Sequence, residues 1–305
     1  MSIPKTSVLI VNYNYDKYIS EAIHSVLNQS QKVDQIIVVD DGSTDNSRAV
    51  IEDILKHHPH AELINKENGG QLSAYQAGVP ALSGDIIFFL DSDDRWKDNH
   101  IASFLEVFNN HPEVDYVYSG HDTFGQRKKA WHAYKHSHYL GMSPLSATYN
   151  KSFFGTSPSA CAIRKSTLFQ IFPLTDPTLL EQRYYADDVI VRGTSILGAI
   201  KYYQYPPTTE YRIHGSNEYS GKKRTQLERY RLLLATNRLI EYFRLQAKID
   251  ERCCLDFQKE FMTMPKPTKA DYNQALKTLG RFPINFIQWL NIRLKLFNHY
   301  RKNGR

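Results

Sequence analysis

The feature that most constrains the fold is an alternation of short apolar runs with amphipathic segments through residues 6–118. Continuous apolar runs of this length are typical of strands buried on both faces of a parallel sheet. The intervening segments repeat apolar residues at helical spacing. The pattern predicts an α/β fold with a mostly parallel central sheet and helices on both faces. The predicted strands are Ser7–Val11, Gln35–Asp40, Ala61–Ile64, Asp85–Leu90 and Val114–Tyr118.

The two ends of the chain differ in charge. Residues 1–221 carry 19 Lys and Arg against 25 Asp and Glu, a net charge of −6, whereas residues 222–305 carry 19 against 7, or +12; together they make the +6 of the whole chain. Beyond residue 221 apolar residues again recur at helical spacing. We therefore expect an α/β domain over 1–221 and a basic α-helical C-terminal extension over 222–305.

Several classes of protein do not fit this composition. No stretch approaches the roughly 20 apolar residues that span a bilayer, and Met1–Ile10 show no secretory signal, so we expect a cytoplasmic protein. Cys161, Cys253 and Cys254 are too few for a disulfide framework and lack metal spacing, so reduced thiols are expected. The sequence of the basic extension contains no motif of a known nucleic-acid-binding module, so we expect no nucleic-acid partner.

Polar residues follow three of the predicted strands: Asn12–Asn14, Asp40–Ser43 and Asp91–Asp94. In open parallel sheets, ligands bind beyond the carboxyl ends of the strands. Carboxylates at alternate positions suit a divalent cation whose shell is completed by phosphate oxygens, and Tyr13 is suited to stack on a base. Taken alone, each segment is equally consistent with an acidic turn, a helix cap or a side chain that simply packs in the fold. Together they predict a pocket for a nucleotide and a metal.

Four segments resemble glycosyltransferase family 2: SVLIVNYN (7–14), VVDDGSTDNS (38–47), NGG (68–70) and GDIIFFLDSDD (84–94). The resemblance covers about residues 5–217. It implies the GT-A fold, a Rossmann-like arrangement, and an inverting enzyme that moves a sugar from a nucleotide-sugar to a hydroxyl acceptor. We expect a bacterial-type member that uses a UDP-sugar by preference and a glycan or lipid-linked acceptor, in polysaccharide, lipopolysaccharide or glycolipid synthesis.

The resemblance also implies roles for residues around the nucleotide. Tyr13 matches the aromatic that stacks on the base, Asp41 the acid that reads a pyrimidine, and Asp40 its neighbour in the turn. Lys66 lies where the family often has a basic nucleotide or phosphate contact. One departure is Ala74-Tyr75-Gln76, where the family commonly has Ala-Arg-Asn.

A second group of residues is implied to act at the metal and the diphosphate. Asp91 and Asp93 match the D-x-D pair, of which the first faces the ribose and the second the metal. The motif around residues 211–217 suggests that His214 reaches the metal or diphosphate and that Arg212 offsets phosphate charge. A divalent cofactor, Mn²⁺ or Mg²⁺, is therefore expected, with Asp93, Asp91 and His214 as its candidate ligands, although a solvent-exposed turn also fits residues 211–217.

Inversion in a single displacement needs a base for the acceptor hydroxyl. Asp187-Asp188 resembles the acidic pair of the family, and we expect Asp188 to be the base, with Asp187 raising its pKa by like-charge repulsion. The family usually has Glu where this chain has Asp187, which leaves the order of the two roles open. Two acids stabilised by the dipole at a helix N-terminus are the alternative.

Residues 119–152 lose the alternation and are rich in His and aromatic residues. A long segment of this kind is typical of a functional loop, and we expect an acceptor-facing lid. His132, His136 and His138 raise the alternative of a zinc site, but no Cys or Glu completes a tetrahedral set.

The last predicted helix, within 283–302, carries a stripe of Phe286, Leu290, Leu294 and Phe297 beside several basic residues. Two readings are open: the stripe lies on an anionic membrane surface near a lipid-linked acceptor, or it packs on the catalytic domain.

Two other functions remain open from the sequence. One is a catalytically silent nucleotide- or glycan-binding protein. The other is a nucleotidyltransferase acting on a sugar phosphate, which needs a Gly-rich basic loop after the first strand, where this chain has Asn12-Tyr13-Asn14-Tyr15.

Overall fold

The structure, a computed structural model, describes residues 4–126, 129–176, 179, 186–215 and 225–304. The strands are β1 (Thr6–Asn12), β2 (Gln35–Asp40), β3 (Ala61–Asn65), β4 (Ile86–Asp91), β5 (Arg95–Trp96), β6 (Tyr116–Ser119), β7 (His121–Gly125), β8 (Ala130–Trp131), β9 (His138–Gly141), β10 (Cys161–Arg164), β11 (Lys201–Gln204) and β12 (Thr209–Ile213). The α-helices are α1 (Ile19–Leu27), α2 (Ser47–Leu55), α3 (Gln71–Gly78), α4 (His100–Asn110), α5 (Pro144–Tyr149), α6 (Lys165–Ile171), α7 (Ala186–Ile196), α8 (Gln226–Gln246), α9 (Phe257–Met262), α10 (Lys269–Leu279) and α11 (Phe286–Asn303).

The centre of the molecule is an eight-stranded sheet in the order β3-β2-β1-β4-β10-β6-β11-β9. The first four strands are parallel, β10 is antiparallel to both its neighbours, and β9 is antiparallel to β11. The register pairs Asn12 with Asp40 and Val11 with Asp91. The ends of β1, β2 and β4 are therefore level, and the polar residues that follow them meet at one edge. The predicted α/β fold and mostly parallel sheet are confirmed.

The strands are buried on both faces because helices cover each side of the sheet. Val8 and Ile10 of β1 belong to one apolar cluster, which includes Ile19 and Ile23 of α1. Leu9 on the opposite face belongs to a second cluster, which includes residues of α3 and α7. Full burial of such side chains contributes about 1.5–3 kcal/mol each. This explains why the strands read as continuous apolar runs.

Residues 119–152 are more regular than the predicted loop. They contribute β7, β8, β9 and α5, and a second, four-stranded sheet has the order β5-β12-β7-β8. The short strands β7 and β8 contain His, Asp and Thr and lack an apolar run, so hydrophobic periodicity does not reveal them. Whether this segment faces an acceptor stays a prediction.

The C-terminal helices pack on the α/β part through one continuous core. Leu239 and Phe243 of α8 share a cluster with Ile171 and Val189, and a methyl group on Gly193 of α7 would lie 3.0 Å from the Phe243 ring. This helical extension is as predicted. The expected boundary between residues 221 and 222 lies outside the described residues.

A buried hydrogen-bonded pair of His and Asp also joins the two parts. His138 Nε2 of β9 lies 2.9 Å from Asp271 Oδ2 of α10, and the Tyr134 hydroxyl donates to Asp271 Oδ1 at 3.1 Å. Burial raises the pKa of Asp271, but hydrogen bonds from His138 and Thr268 outweigh it and lower the pKa overall. The carboxylate form is therefore the one that stabilises the fold.

The last helix, α11, uses an unexpected face for packing. Ile292 and Leu296 are buried, whereas Phe286, Ile287, Leu290, Leu294 and Phe297 are between 40% and 73% exposed. The apolar stripe seen in the sequence is therefore largely exposed, and its contact with the rest of the described chain includes the Phe297 ring, which lies 6.3 Å from that of Tyr272 of α10. Across the described ranges, none of the helices is both long and apolar enough to cross a bilayer.

We predict that Asp271→Ala lowers the free energy of unfolding at neutral pH by about 3 kcal/mol, because it leaves buried donors without an acceptor. Chemical denaturation measures the effect, with Asp256→Ala in an exposed pair as control. Because the pKa of Asp271 is lowered in the fold, its contribution is present above the unfolded pKa and is lost as the pH falls through the folded one. A variant as stable as the wild type would contradict the role of this pair.

Candidate active site

The loops after β1 and β2 are tied into one platform. Asn12 Nδ2 donates to Asp40 Oδ1 at 2.9 Å and to Ser43 Oγ at 3.1 Å, and Ser43 Oγ donates to Asp40 Oδ1 at 2.6 Å. Asn14, in the left-handed region at φ 57°, donates its N–H to Ser43 Oγ. Between them the Tyr13 side chain is 44% exposed. The platform leaves the Tyr13 ring accessible and gives Asp40 a structural task.

Asp41 fastens the loop before α3. Its Oδ1 accepts from Lys66 Nζ at 2.6 Å and Gly69 N at 3.0 Å, and its Oδ2 accepts from Gly70 N at 2.7 Å and Asn68 Nδ2 at 3.1 Å. These four donors match the roughly four lone-pair sites of a carboxylate. Contact of Asp41 with a pyrimidine therefore requires one donor to move, and Lys66 is the only one of the four on a long flexible side chain. The nucleotide roles of Asp41 and Lys66 stay predictions.

Three carboxylates crowd the end of β4. Asp94 is buried and accepts from Ser159 Oγ at 2.7 Å and from Arg212 N at 2.9 Å. Burial raises the pKa of Asp91 and of Asp94, and the charge of Asp93 raises both further. These carboxyls therefore resist ionising together, and a cation bound at this edge would favour their charged forms.

His214 lies against the middle carboxylate of this group. Its Nε2 is 2.9 Å from Asp93 Oδ2, and its ring packs on Tyr15 and Tyr18 at centroid distances of 5.7 and 5.0 Å. The structure thus brings together Asp93 and His214, two of the predicted metal ligands. Among the described residues, no group of three His, Cys, Asp or Glu side chains is arranged to hold a metal by itself. The carboxylate oxygen fits Mn²⁺ or Mg²⁺ if oxygens of a bound diphosphate complete the shell, and the imidazole nitrogen beside it favours Mn²⁺, because Mg²⁺ prefers oxygen ligands.

Arg212 supports the turn at Asp93. Its Nε donates to the Asp93 carbonyl at 2.7 Å and its guanidinium pairs with Glu21. The guanidinium carbon also lies 4.7 Å from the Tyr18 ring centroid and 4.2 Å from that of Phe124. These contacts position Arg212 between α1 and the small sheet. Its expected role beside a phosphate stays a prediction.

The start of α7 presents the two remaining acids. Asp188 Oδ1 accepts from Arg192 Nε at 2.7 Å, and its side chain is 19% exposed. Burial raises the pKa of Asp188 against the opposing effect of Arg192. Burial, helped by the charge of Asp188, raises the pKa of Asp187 to about 6. Asp188 is thus the more accessible acid and is oriented by Arg192, whereas Asp187 is the more deeply buried.

A residue that the sequence did not single out joins these groups. Gln71 Nε2 donates to Asp91 Oδ1 at 3.0 Å, and Gln71 Oε1 accepts from Ala186 N at 3.2 Å. One amide therefore bridges the end of β4 and the first turn of α7. Gln71 is the first residue of α3, directly after the predicted Gly-Gly turn, but no spacing rule identifies an amide there as functional.

The packing of Tyr75 and Gln76 explains why this chain departs from the Arg-Asn pair that the family commonly has at these positions. Tyr75 is buried and stacks on Phe89 and Phe172 at centroid distances of 5.4 and 6.4 Å. Gln76 exchanges two hydrogen bonds of 3.1 Å with the backbone of Leu174. The positions at which the family commonly has Arg-Asn therefore hold α3 against β4 and the chain after α6.

Among the described residues the three loop histidines do not form one metal-binding group, although the rings of His136 and His138 lie 6.2 Å apart. His138 is buried against Asp271, whereas His132 and His136 are exposed. The zinc alternative is thus not supported by the described residues. The cysteines, Cys161, Cys253 and Cys254, are free.

Comparison with known proteins agrees with this geometry. Residues 7–172 match the sequence profile described as glycosyl transferase family 2. An uncharacterized glycosyltransferase of Nostoc sp. strain PCC 7120 is 37% identical over 70% of this chain and 66% of its own length. TuaG of Bacillus subtilis, a glycosyltransferase named for teichuronic acid biosynthesis, is 30% identical over 50% of this chain and 58% of its own length.

Solved structures show the same fold. Residues 1–349 of TarS from S. aureus, in complex with UDP-GlcNAc, align with 99% of this chain and 74% of that chain, with a TM-score of 0.55 and 15% identity. The expected GT-A-type fold is thereby confirmed. On the extent of the profile match, which covers more than half of its residues, the chain belongs to glycosyl transferase family 2.

Proposed function

We propose that this protein is an inverting glycosyltransferase that transfers a sugar from a nucleotide-sugar to a hydroxyl of a glycan or lipid-linked acceptor. The observation that carries the proposal is the convergence of the β1, β2 and β4 ends with the start of α7, through the register of the sheet and the Gln71 bridge. A surface polysaccharide, lipopolysaccharide or glycolipid is the proposed class of product. The name of TuaG and the family of this chain support it.

The donor is proposed to be a UDP-sugar. TarS, which shares the fold, has been solved with UDP and with UDP-GlcNAc. The accessible Tyr13 ring would stack on the base. Asp41 would accept from the base once Lys66 turns from Asp41 toward the phosphates, and Asp91 would face the ribose.

Asp93 and His214 are the residues that would hold a divalent cation, Mn²⁺ or Mg²⁺. When bound, such an ion offsets the charge that develops on the leaving diphosphate. Asp94 and Arg212 position the turn at Asp93. The Arg212 N–H donates to the Asp94 carboxylate, and Arg212 Nε donates to the Asp93 carbonyl. Arg212 is proposed to add positive charge on the phosphate side of this turn.

Asp188 is proposed to take the proton of the acceptor hydroxyl. As the acceptor oxygen bonds to the anomeric carbon, the bond from that carbon to the diphosphate oxygen breaks, and the nucleoside diphosphate leaves with its electron pair. Arg192 orients the Asp188 carboxylate, and burial raises its pKa toward the working pH, which suits a general base. Asp187 precedes it in the chain, and the repulsion between the two carboxylates, which helps to raise the pKa of Asp187 to about 6, is proposed to act on Asp188 as well.

We predict that Asp188→Asn lowers kcat about a thousandfold while the affinity for UDP is kept, because the amide cannot accept the proton. Turnover of a panel of nucleotide-sugars with Mn²⁺, and calorimetric titration with UDP, measure the two quantities. Asp187→Asn is expected to shift the acid limb of the pH–rate profile to lower pH with a smaller loss, because it removes a like charge.

Exposed Asp53→Asn is the matched control for this comparison. Unchanged turnover in Asp188→Asn would overturn the assignment of the base. A protein that binds UDP but turns over no nucleotide-sugar would instead fit the catalytically silent binder.

We predict that Mn²⁺ raises the affinity of the wild type for UDP at least about tenfold and that Asp93→Asn and His214→Ala abolish this gain, because each removes one of the proposed ligands. Titration with UDP in the presence of Mn²⁺ or of a chelator measures the effect. Asp53→Asn should retain the full gain. An equal affinity with and without the metal in the wild type would contradict the cation site.

The exposed face of α11 is proposed to lie on an anionic membrane surface. Its apolar residues, Phe286, Ile287, Leu290, Leu294 and Phe297, are accompanied by Arg293, Lys295, Arg301 and Lys302, and the helix contains no Asp or Glu. Apolar residues that insert at the headgroup level, beside basic residues that meet anionic lipids, are the composition of an interfacial helix. The protein would then work as a peripheral enzyme near a lipid-linked acceptor.

We predict that the wild type sediments with vesicles that contain phosphatidylglycerol, and much less with vesicles of phosphatidylcholine alone. The double substitution Leu290→Glu and Leu294→Glu should abolish sedimentation, because it places two carboxylates on the inserting face. Phe169→Glu changes an equally exposed apolar residue elsewhere and should have no effect. Sedimentation of the double variant at the wild-type level would contradict the proposed surface.

A further inference from the structure

Three aromatic rings form a row on one face of the small sheet. The rings of His121 and Tyr211 lie 5.1 Å apart, and those of His121 and Trp131 lie 5.8 Å apart at an interplanar angle of 21°. His121 of β7 is paired with Trp131 of β8, and β12, which carries Tyr211, runs parallel to β7 on its other side. Trp131, His121 and Tyr211 are called the aromatic row below.

One end of the aromatic row reaches the carboxylates at the end of β4. Arg212, the residue after Tyr211, donates its N–H to Asp94, and His214 lies 2.9 Å from Asp93. β12 is thus attached to the Asp91–Asp94 turn, and the row leads from that turn to β8. The row is separate from Tyr13, which lies on the platform of the central sheet.

The far end of the row is exposed, and the backbone beside it is closely packed. The Trp131 side chain is 44% exposed. A methyl group on Gly120 would lie 2.1 Å from the Trp131 carbonyl and 2.8 Å from His132 Nδ1, so the chain around Trp131 packs directly on the Gly120 backbone. A Trp side chain has only two rotatable bonds, so it loses little conformational freedom when a ligand packs on its ring.

We propose that the aromatic row is the acceptor subsite and that its ligand is a pyranose ring of the acceptor. One face of a pyranose presents C–H groups that carry partial positive charge, and these pack on the negative face of an aromatic ring. The hydroxyl groups stay at the edge of the sugar, where polar neighbours such as the exposed His132 meet them. The inference rests on the proposed function and assigns residues to the binding of its second substrate.

The aromatic row also explains how the acceptor is oriented. A sugar packed flat on Trp131 and His121 lies on the small sheet, which is joined to the Asp93 turn through β12. Its next unit along the row is directed toward the carboxylates. Positioning of this kind converts an encounter of two molecules into a reaction within one complex.

Saturation-transfer NMR on the full chain with UDP and Mg²⁺ tests the proposal. The probes are the methyl α- and β-glycosides of glucose, galactose and N-acetylglucosamine, with myo-inositol as a polyhydroxyl probe that is not a glycoside. We expect at least one glycoside to receive saturation from the wild type, and Trp131→Ala to weaken its binding on the order of tenfold. Trp131→Phe, which keeps a ring, should restore most of the binding.

Phe169→Ala is the matched control, since Phe169 is 43% exposed on another helix and should leave glycoside binding unchanged. Gly120→Ala should weaken glycoside binding by displacing the chain around Trp131, and thermal denaturation shows whether this variant is folded. Calorimetric titration with UDP is run on every variant and is expected to give the wild-type affinity for Trp131→Ala.

The outcomes separate the two proposals. Glycoside binding that is equal in the wild type and Trp131→Ala, or absent from the wild type while UDP still binds, would overturn the acceptor subsite and leave the proposed donor site standing. Failure of the wild type to bind UDP would instead overturn the proposed UDP-sugar donor site.

Discussion

Burial of carboxylates at one edge of the sheet is the constraint on which the rest of the structure depends. A buried carboxylate is costly unless it accepts hydrogen bonds or meets a cation. Here each one is held by a different segment: Asp40 by Asn12 at the end of β1 and by its own turn, Asp41 by the loop before α3, Asp91 by Gln71, and Asp94 by Ser159 and β12. Satisfying these acids therefore fastens several distant segments to the same edge.

The same constraint distinguishes two kinds of acid. Asp40, Asp41 and Asp94 have their acceptor capacity largely used by the protein, so they shape the pocket. Asp93 meets one imidazole and Asp188 one guanidinium, and both are at least partly exposed, so they retain capacity for a ligand. Residue type alone does not make this distinction, because it depends on which donors the folded chain brings to each oxygen.

The central sheet was predictable because its strands are buried on both faces and so form continuous apolar runs. The acids at the strand ends were predictable because β1, β2 and β4 are parallel and in level register. The small sheet was not predictable from the sequence, because its strands β7 and β8 are short and lack an apolar run. Two contacts between distant segments were also outside the reach of the sequence: the Gln71 bridge and the pairing of Arg212 with Glu21.

The exposed face of α11 has a related explanation. An apolar stripe predicts that a helix face is buried against something, but not whether the partner is the same chain. In the fold Ile292 and Leu296 make the internal contact, and the larger stripe is left outside. The sequence did not indicate the aromatic row, because Trp131, His121 and Tyr211 lie on three strands that only the small sheet brings together.

The central claim is that the acids beyond β4 hold a cation against the diphosphate of a nucleotide-sugar. A crystal structure grown with UDP and Mn²⁺, measured for the anomalous scattering of manganese, tests it most directly. The account predicts a peak about 2.2 Å from a carboxylate oxygen of Asp93, with His214 and the diphosphate in the same shell. UDP bound at this edge with no manganese beside Asp93, or manganese bound at a different surface, would contradict it.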